Sequence, residues 1–177
     1  ESAFPYQGDW YKRLVYRTMG KKRAKELYRL QFMDNALHDD RAEPVGAELY
    51  FVTNLPCVYQ CLLDVADWAE KGIEPPTESK YALEDGKFTV PARAKKRGGI
   101  QNVCRISSRG KRKVYATAGE SVPFDVQAEI PAGCGTLTKT EWSFEGEKDF
   151  PVKTGTCLHA EHRFPKAGKY TIAVRTY

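Results

Sequence analysis

A histidine follows a short alternating segment of this sequence, five residues after its end. Residues 28–33 alternate between apolar and more polar side chains, which predicts a strand, and Asp34 and Asn35 end it just before His38. Open α/β sheets place their chemistry at the carboxyl ends of buried strands. On the residues alone, a loop histidine hydrogen-bonded to a neighbour is favoured for His38, and a catalytic role is the alternative.

The sequence holds no nucleophile to match this histidine. A serine presented above an α/β-hydrolase sheet needs a Gly-x-Ser-x-Gly elbow, which occurs nowhere in the 177 residues. The other two histidines, His159 and His162, are three apart on a predicted strand, so they belong to opposite faces, which argues against a shared metal. No cofactor and no metal site is predicted.

The cysteines leave two questions open. Their number is five, so at least one thiol is free or paired with another chain. Cys57 and Cys61 are four apart on a predicted helix, and a shared apolar face is favoured over a metal pair because no histidine or further cysteine stands close by. Cys134 and Cys157 fall in the strand-rich half, where a bridge across strands is an alternative to free thiols.

Composition describes a globular chain, with 41% hydrophobic residues, 12% aromatic residues and a formal net charge of +5. No apolar run approaches the roughly 20 residues that cross a bilayer, so no membrane partner is predicted. Residues 1–10 lack the features of a signal peptide. Residues 93–113 are basic without an acid, but they lack interleaved aromatics and a recognition helix. A solvated linker and turn is favoured over a nucleic-acid site.

The first part of the chain is predicted to be helical at both ends. Asp9 can cap a short helix over residues 10–18, and residues 21–27 form a second, strongly charged helix. The clearest helix begins at Pro56 and stops at Gly72. Its apolar residues recur at spacings of three and four, as in a helix packed on a core, and are Val58, Cys61, Leu62, Val65, Trp68 and Ala69.

The second half of the chain is predicted to form strands. Asp85 and Gly86 signal a hairpin between residues 81–83 and 87–90. Further alternating segments, separated by Gly or Pro turns, span residues 113–116, 122–130, 139–144 and 169–175. Regular short strands of this kind indicate a β-sandwich. Its aromatic residues are expected in the core rather than on a binding surface, and are Tyr115, Trp142, Phe144, Tyr170 and Tyr177.

Residues 113–177 resemble a PKD-type domain, an immunoglobulin-like sandwich. Residues 118–122 open a strand, residues 141–146 stand where that family has its Trp-x-Phe-Gly-Asp-Gly turn, and residues 162–172 are similar to its closing motif. The turn departs from the family pattern, although three acidic residues cluster in 145–149. A solvated turn is therefore favoured there over a calcium site.

The front of the chain resembles the C-terminal end of bacterial α/β-hydrolase-fold esterases of the tannase and feruloyl esterase group, through residues 28–38, 63–76 and 90–91. This resemblance implies a triad in the order Ser, acid, His, with His38 taking the serine proton during attack on an ester. It places the serine on an upstream segment or a partner chain. The triad acid precedes the strand in this family, so the neighbouring Asp34, Asp39 and Asp40 are not its expected source.

The expected fold class is α+β. Residues 1–76 are expected to be a C-terminal remnant of an α/β-hydrolase domain, residues 77–112 a hairpin and basic linker, and residues 113–177 an immunoglobulin-like sandwich. The expected function is the C-terminal portion of a carboxylic-ester hydrolase, inactive on its own. The alternative is a non-catalytic binding or spacer module that engages a carbohydrate or a protein. PKD-like sandwiches are commonest outside the cytoplasm, so a secreted or periplasmic location is expected.

Cutting such a remnant from an open sheet has a physical cost. It leaves unpaired backbone groups and a bare apolar helix face, so residues 1–75 are expected to be poorly stable alone. A partner chain, a homo-oligomer or packing on the sandwich is expected to cover that surface.

Overall fold

The computed structural model describes residues 5–36 and 51–177 of the chain. The chain forms two compact units. The helical unit comprises residues 1–101 with the short segment 131–134, and the sandwich unit comprises residues 102–130 and 135–177. The division between Gln101 and Asn102 lies inside the segment predicted as a linker. The mixed helical and antiparallel strand content is that of an α+β protein.

Helices dominate the described part of the helical unit, and the strands among its described residues form one two-stranded antiparallel sheet. Its elements in chain order are α1 (Pro5–Met19), α2 (Lys21–Leu27), α3 (Leu55–Lys71), β1 (Ala82–Glu84), β2 (Lys87–Thr89) and α4 (Ala94–Arg97).

The bounds predicted for α2 and α3 are confirmed. Pro56 lies in the first turn of α3, where its missing N–H leaves no hydrogen bond unmade. Gly72 takes the left-handed conformation, with φ 68°, that ends a helix without the strain a Cβ would cause. The Ile73 N–H then donates to the Asp67 carbonyl at 3.2 Å and closes the end.

Asp9 has a different role from the predicted cap. It lies inside α1, which begins at Pro5, and it is 8% exposed. Its carboxylate pairs with Arg13 at 2.8 Å and accepts a hydrogen bond from the Tyr81 hydroxyl at 2.8 Å. The predicted cap is therefore wrong, because the carboxylate is used to join α1 to the segment before the hairpin.

The predicted strand over residues 28–33 is also wrong. The run leaves α2 in an extended conformation, but it pairs in no ladder among the described residues. It is held instead by the Ser79 N–H, which donates to the Leu30 carbonyl at 3.0 Å, and by the Ser79 hydroxyl, which accepts from the Phe32 N–H at 3.0 Å. An isolated parallel bridge joins Ala36 to Val52.

The predicted hairpin is confirmed as β1 and β2, with Leu83 opposite Phe88. Asp85 and Gly86 both have positive φ, 48° and 73°, as a two-residue type I′ turn requires. The Phe88 ring stacks on Tyr81 at 5.1 Å. Phe32 packs on both rings, at 4.8 Å from Tyr81 and 4.5 Å from Phe88. This aromatic group fixes the extended run against the hairpin.

The sandwich unit contains two three-stranded antiparallel sheets. One has the order β3–β4–β7 and the other has the order β6–β5–β8. The strands are β3 (Val103–Ser107), β4 (Ser121–Glu129), β5 (Thr140–Ser143), β6 (Val152–Gly155), β7 (His159–Arg163) and β8 (Ala173–Thr176).

Three of the four predicted strand segments correspond to β4, β5 and β8, and the segment over residues 113–116 is not a strand. Instead, β3 lies within the basic stretch, where Arg105 pairs with Glu129 of β4. Pairing with Glu129 neutralises the charge of Arg105, so this part of the basic stretch is a strand and not the predicted solvated linker.

The core of the sandwich unit is aromatic. Trp142 of β5 is 0% exposed, and its ring stacks on Phe144 at 5.7 Å. Phe144 in turn packs on Phe124 of β4 at 5.4 Å. The prediction that Trp142 and Phe144 belong to the core is confirmed. It is wrong for Tyr115 and Tyr177, which are 82% and 48% exposed.

Candidate functional site

His38 lies outside the described residues, so its predicted catalytic role stays a prediction. Asp34, just before it, is described and has a structural role. Its carboxylate accepts from the Arg97 guanidinium at 3.2 Å, and its carbonyl accepts from the Gln101 side chain at 2.9 Å. These contacts tie the end of the extended run to the segment after α4.

Arg97 is the centre of this network and is 3% exposed. Its Nε donates to the Pro91 carbonyl at 2.8 Å, and a terminal nitrogen donates to Gln101 Oε1 at 2.7 Å. The solvated linker predicted for residues 93–113 is therefore wrong at this position. The sequence showed only a run of basic residues and gave no sign of which one is buried.

The neighbouring Gly99 allows the chain to approach Ser79 closely. A Cβ at this position would lie 2.4 Å from the Ser79 hydroxyl oxygen and 2.5 Å from Gln31 Oε1, and its φ of +70° also favours glycine. The Ser79 hydroxyl is 3.1 Å from Gln31 Oε1. The hydroxyl donates its proton to Gln31 and accepts from the Phe32 N–H, so Ser79 holds this part of the backbone together.

His159 and His162 lie on opposite faces of β7, as predicted. His159 Nδ1 is 2.9 Å from Asp125 Oδ1, and this carboxylate raises the pKa of His159 above its usual value. His162 stacks on Phe144 at 4.5 Å, and its Nε2 is 3.2 Å from Glu145 Oε1. His159 is thus a surface partner of Asp125, and His162 extends the aromatic core.

The acidic turn after β5 is organised by hydrogen bonds of its own. Glu147 accepts from the Ser143 hydroxyl at 2.8 Å and from the Glu145 N–H at 2.9 Å. Burial raises the pKa of Glu147, but these and other backbone donors outweigh burial, and the net pKa lies below its ordinary value. The carboxylate is therefore used to close the turn.

All five cysteines are free thiols. The bridge considered between Cys134 and Cys157 is not formed, and the Cys157 thiol lies 3.5 Å from the His159 carbonyl. Cys134 belongs to the segment that joins the helical unit, where Cys57 and Cys61 of α3 are half-buried. Burial, followed by the neighbouring Cys61 and Cys134 thiols, raises the pKa of Cys57.

The apolar stripe of α3 faces solvent. Val58, Leu62 and Val65, which the sequence predicts to pack on a core, are 41%, 62% and 58% exposed. Leu55 and Tyr59 extend this stripe at 41% and 58% exposed, and Ala66 and Ala69 continue it toward the C-terminus of the helix. The predicted packing is wrong for these residues. We name this surface the α3 apolar face, comprising Leu55, Val58, Tyr59, Leu62, Val65, Ala66 and Ala69.

The opposite side of α3 makes the contacts within the unit. The residues on this side are partly buried and recur at spacings of four, three and four, which place them on one side of the helix; they are Cys57, Cys61, Asp64 and Trp68. Trp68 receives the Arg29 guanidinium over its ring at 4.7 Å. The helix is amphipathic, as the sequence shows, but the side that packs on the unit carries two thiols, Asp64 and Trp68.

The helical unit buries few large apolar side chains. Among its described residues, the buried hydrophobic ones are Ala24, Ala94 and Ile100, and no residue of α3 is buried. Asp9, Ser79 and Arg97 are buried as well, and each depends on hydrogen bonds. Such a unit gains little from the hydrophobic effect, which is the dominant stabilising term in folding.

A second cluster lies on the outer side of the β6–β5–β8 sheet, around Glu141 of β5. Glu141 is 3% exposed, and its carboxylate is 2.9 Å from Lys139 Nζ, 2.9 Å from Arg175 Nε and 3.0 Å from the Tyr177 hydroxyl. Lys153 Nζ follows at 3.9 Å. Lys139 foremost, with Arg175 and Tyr177, lowers the pKa of Glu141 to about 2.

This pKa predicts how Glu141 couples stability to pH. The folded-state pKa of about 2 lies below the ordinary value of 4.5, so the cluster stabilises the fold above pH 4.5 and loses this effect as the pH falls toward 2. In Glu141→Gln, the free energy of unfolding should depend less steeply on pH within this window. Urea unfolding between pH 2 and 5 measures this slope, and equal slopes in both proteins would contradict the prediction.

The sequence contained a partial signal for the Glu141 cluster. Residues 139–144 alternate, so Thr140 and Trp142 share one side of the strand while Lys139 and Glu141 share the other. The partners Lys153 and Arg175 come from strands that only the fold brings together, and no local pattern indicated them.

No protein-family model, curated protein or solved structure matches this chain. Within residues 5–36 and 51–177, no helix is long and apolar enough to traverse a bilayer. The same residues contain no group of three or more His, Cys, Asp or Glu side chains placed to hold a metal ion.

Proposed function

We propose that this chain is a non-catalytic binding module that assembles through the α3 apolar face. The proposal rests on the orientation of α3. The residues of the α3 apolar face are exposed, while the side that carries Cys61, Asp64 and Trp68 faces the unit. Exposed contiguous apolar surface on a folded protein marks an interaction site. The occupant that we propose is a second copy of the chain, with the two α3 helices antiparallel.

The spacing of residues on α3 suits such a pair. In an antiparallel arrangement centred on Leu62, Leu55 lies opposite Ala69 of the second copy, and Val58 lies opposite Ala66. Leu55 and Val58 therefore each meet an alanine, which supports close packing of the helices, while Tyr59 lies opposite Val65. A two-fold pair of this kind uses the same patch on both copies.

The sandwich unit supports the binding role. Immunoglobulin-like sandwiches have two antiparallel sheets and a tryptophan buried on the third strand. The unit has two antiparallel sheets, and Trp142 is buried on its third strand. That the unit is a PKD-type domain is part of this proposal. Such sandwiches commonly bind ligands or act as spacers between domains. The proposed module therefore has a helical unit that dimerises and a sandwich unit that binds a ligand. A secreted or periplasmic location stays a prediction.

Association is expected to be weak and reversible, because one helix pair is a small interface, with a Kd on the order of 100 μM. Sedimentation equilibrium of the whole chain measures it. In the double variant Leu62→Ser with Val65→Ser, two side chains lose their burial between copies, and we expect Kd to rise at least about tenfold.

Glu70→Gln serves as the matched control, since Glu70 is exposed on α3 but lies beside its apolar face. We expect its Kd to equal that of the unmodified chain. A chain that stays monomeric at every concentration, or a dimer that the double variant leaves unchanged, contradicts the proposal.

A second candidate, the C-terminal portion of a carboxylic-ester hydrolase, is supported by the parallel bridge between Ala36 and Val52. The Val52 N–H donates to the Asn35 carbonyl at 2.9 Å. Parallel pairing at the end of an extended run, directly before His38, is the arrangement in which open α/β sheets place catalytic residues. In this proposal an upstream segment or partner chain supplies the serine, and His38 acts as its general base.

Hydrolysis of p-nitrophenyl acetate by the longest natural polypeptide that contains this sequence tests the candidate. We expect His38→Ala to lower kcat by roughly 10⁴-fold, as loss of a triad histidine does, and the surface variant His159→Gln to leave kcat unchanged. Equal loss in both variants, or retained activity in His38→Ala, contradicts a catalytic role of His38.

A further inference from the structure

Three strands bring oppositely charged residues into one row on the outer side of the sandwich unit. Arg175 of β8 pairs directly with Glu141 of β5, and Glu141 pairs directly with Lys153 of β6. Lys139 lies two residues before Glu141 on the same side of the strand. The Tyr177 N–H donates to the Lys139 carbonyl at 2.9 Å, which places these two residues side by side. We name this surface the Glu141 row, comprising Lys139, Glu141, Lys153, Arg175 and Tyr177.

We propose that the Glu141 row binds an acidic polysaccharide through Lys139, Lys153 and Arg175. The row has three cations and one carboxylate, so it carries a positive excess. Lys139, Lys153 and Arg175 are 44%, 65% and 41% exposed, whereas Glu141 is 3% exposed. A ligand therefore meets the cations first, and the carboxylate lies beneath them.

Two of the three cations, Lys139 and Arg175, are held in position before any ligand arrives. Lys139 Nζ is 3.9 Å from the centre of the Tyr177 ring, and the Arg175 guanidinium lies 4.2 Å from the centre of the Phe150 ring. Glu141 binds Lys139 and Arg175 from below. Side chains that are already ordered lose less conformational entropy on binding, which favours affinity.

The chemistry of the row favours a uronate polymer over a nucleic acid. The Glu141 carboxylate at its centre repels any polyanion, and this repulsion is greater for the high charge density of a nucleic-acid duplex than for a polymer with one carboxylate per sugar. A polyuronate carries one carboxylate on each sugar together with hydroxyl groups, so its anions are diluted by neutral hydrogen-bonding groups. The three strands span about 10 Å at the usual strand spacing, which matches roughly two sugar residues. An open sheet surface also admits an extended chain.

This inference rests on the proposed binding function, and it names the ligand class of the sandwich unit. Affinity electrophoresis of the whole chain in gels containing polygalacturonate tests it, with dextran as the neutral polymer. We expect retardation in polygalacturonate and none in dextran. The double variant Lys139→Gln with Lys153→Gln should weaken retardation at least fivefold.

The matched control is Lys166→Gln with Lys169→Gln, which removes the same charge from exposed positions of the same unit. It should retain most of the retardation. Equal loss in the two double variants shows attraction by net charge only and overturns the proposal. Stronger binding of a single-stranded oligonucleotide than of polygalacturonate at equal salt also overturns it.

The two proposals fail separately. If polygalacturonate is not bound but Leu62→Ser with Val65→Ser still weakens self-association, the ligand class is wrong and the assembly through α3 stands. If the polymer is bound by a chain that stays monomeric, the Glu141 row is a binding site and the α3 proposal is wrong.

Discussion

Replacing Trp142 with alanine is expected to lower the free energy of unfolding of the sandwich unit by about 3–5 kcal/mol. The ring is 0% exposed, stacks on Phe144 and donates from Nε1 to the Thr154 hydroxyl at 3.0 Å. Its loss removes apolar burial, leaves a cavity between the sheets and takes a hydrogen bond from Thr154. Each of these three effects destabilises the same core.

Differential scanning calorimetry of the whole chain measures this change. Tyr115→Ala is the control, because an 82% exposed ring contributes little and its removal should change stability by at most about 0.5 kcal/mol. If Trp142→Ala fails to fold, Trp142→Phe supplies a milder change of the same kind. Equal effects of Trp142→Phe and Tyr115→Ala would show that Trp142 is not at the centre of the core.

Replacing Arg97 with methionine is expected to destabilise the helical unit by roughly 2–4 kcal/mol, since hydrogen bonds to charged groups contribute more than neutral ones. Methionine retains the apolar stem of the side chain but cannot donate to the Pro91 carbonyl, Gln101 and Asp34. The extended run before His38 then loses its connection to the segment after α4.

Urea unfolding followed by circular dichroism at 222 nm measures the helical unit. Lys96→Met is the matched control, since Lys96 is the exposed neighbour of Arg97 on α4, and we expect no resolved change. Arg97→Lys should recover little, because an ammonium group cannot reproduce the three directions of a guanidinium. Destabilisation by Lys96→Met as large as that by Arg97→Met would contradict the role assigned to Arg97.

The sequence predicts where α3 begins and ends, because Pro56 and Gly72 act through local backbone geometry. It does not predict which side of the helix faces the unit. The periodicity of Val58, Leu62 and Val65 shows that an apolar stripe exists, but the surface that covers a stripe is determined by other parts of the assembly. The amphipathic pattern therefore predicts core packing even for residues that face solvent in the folded unit.

The sandwich follows the same rule. Alternation and turn residues predict β4 and β5, whereas β3 was missed because Arg105 is neutralised by Glu129, more than twenty residues away. The Glu141 row likewise depends on the pairing of Lys153, Glu141 and Arg175 across three strands. Tertiary packing sets the register between strands that lie far apart in the sequence, so a local sequence pattern does not predict it.

Cross-linking at the centre of the proposed α3 pair tests assembly through the α3 apolar face most directly. Leu62→Cys, made in a Cys157→Ser background to remove the exposed thiol, is treated with a short bismaleimide. Leu62 meets its own copy, so we predict a covalent dimer on a denaturing gel. Leu55→Cys should give none, because seven residues from the centre on each helix separate the two thiols by about 20 Å. Equal cross-linking of both variants, or none at Leu62→Cys, contradicts the antiparallel pair.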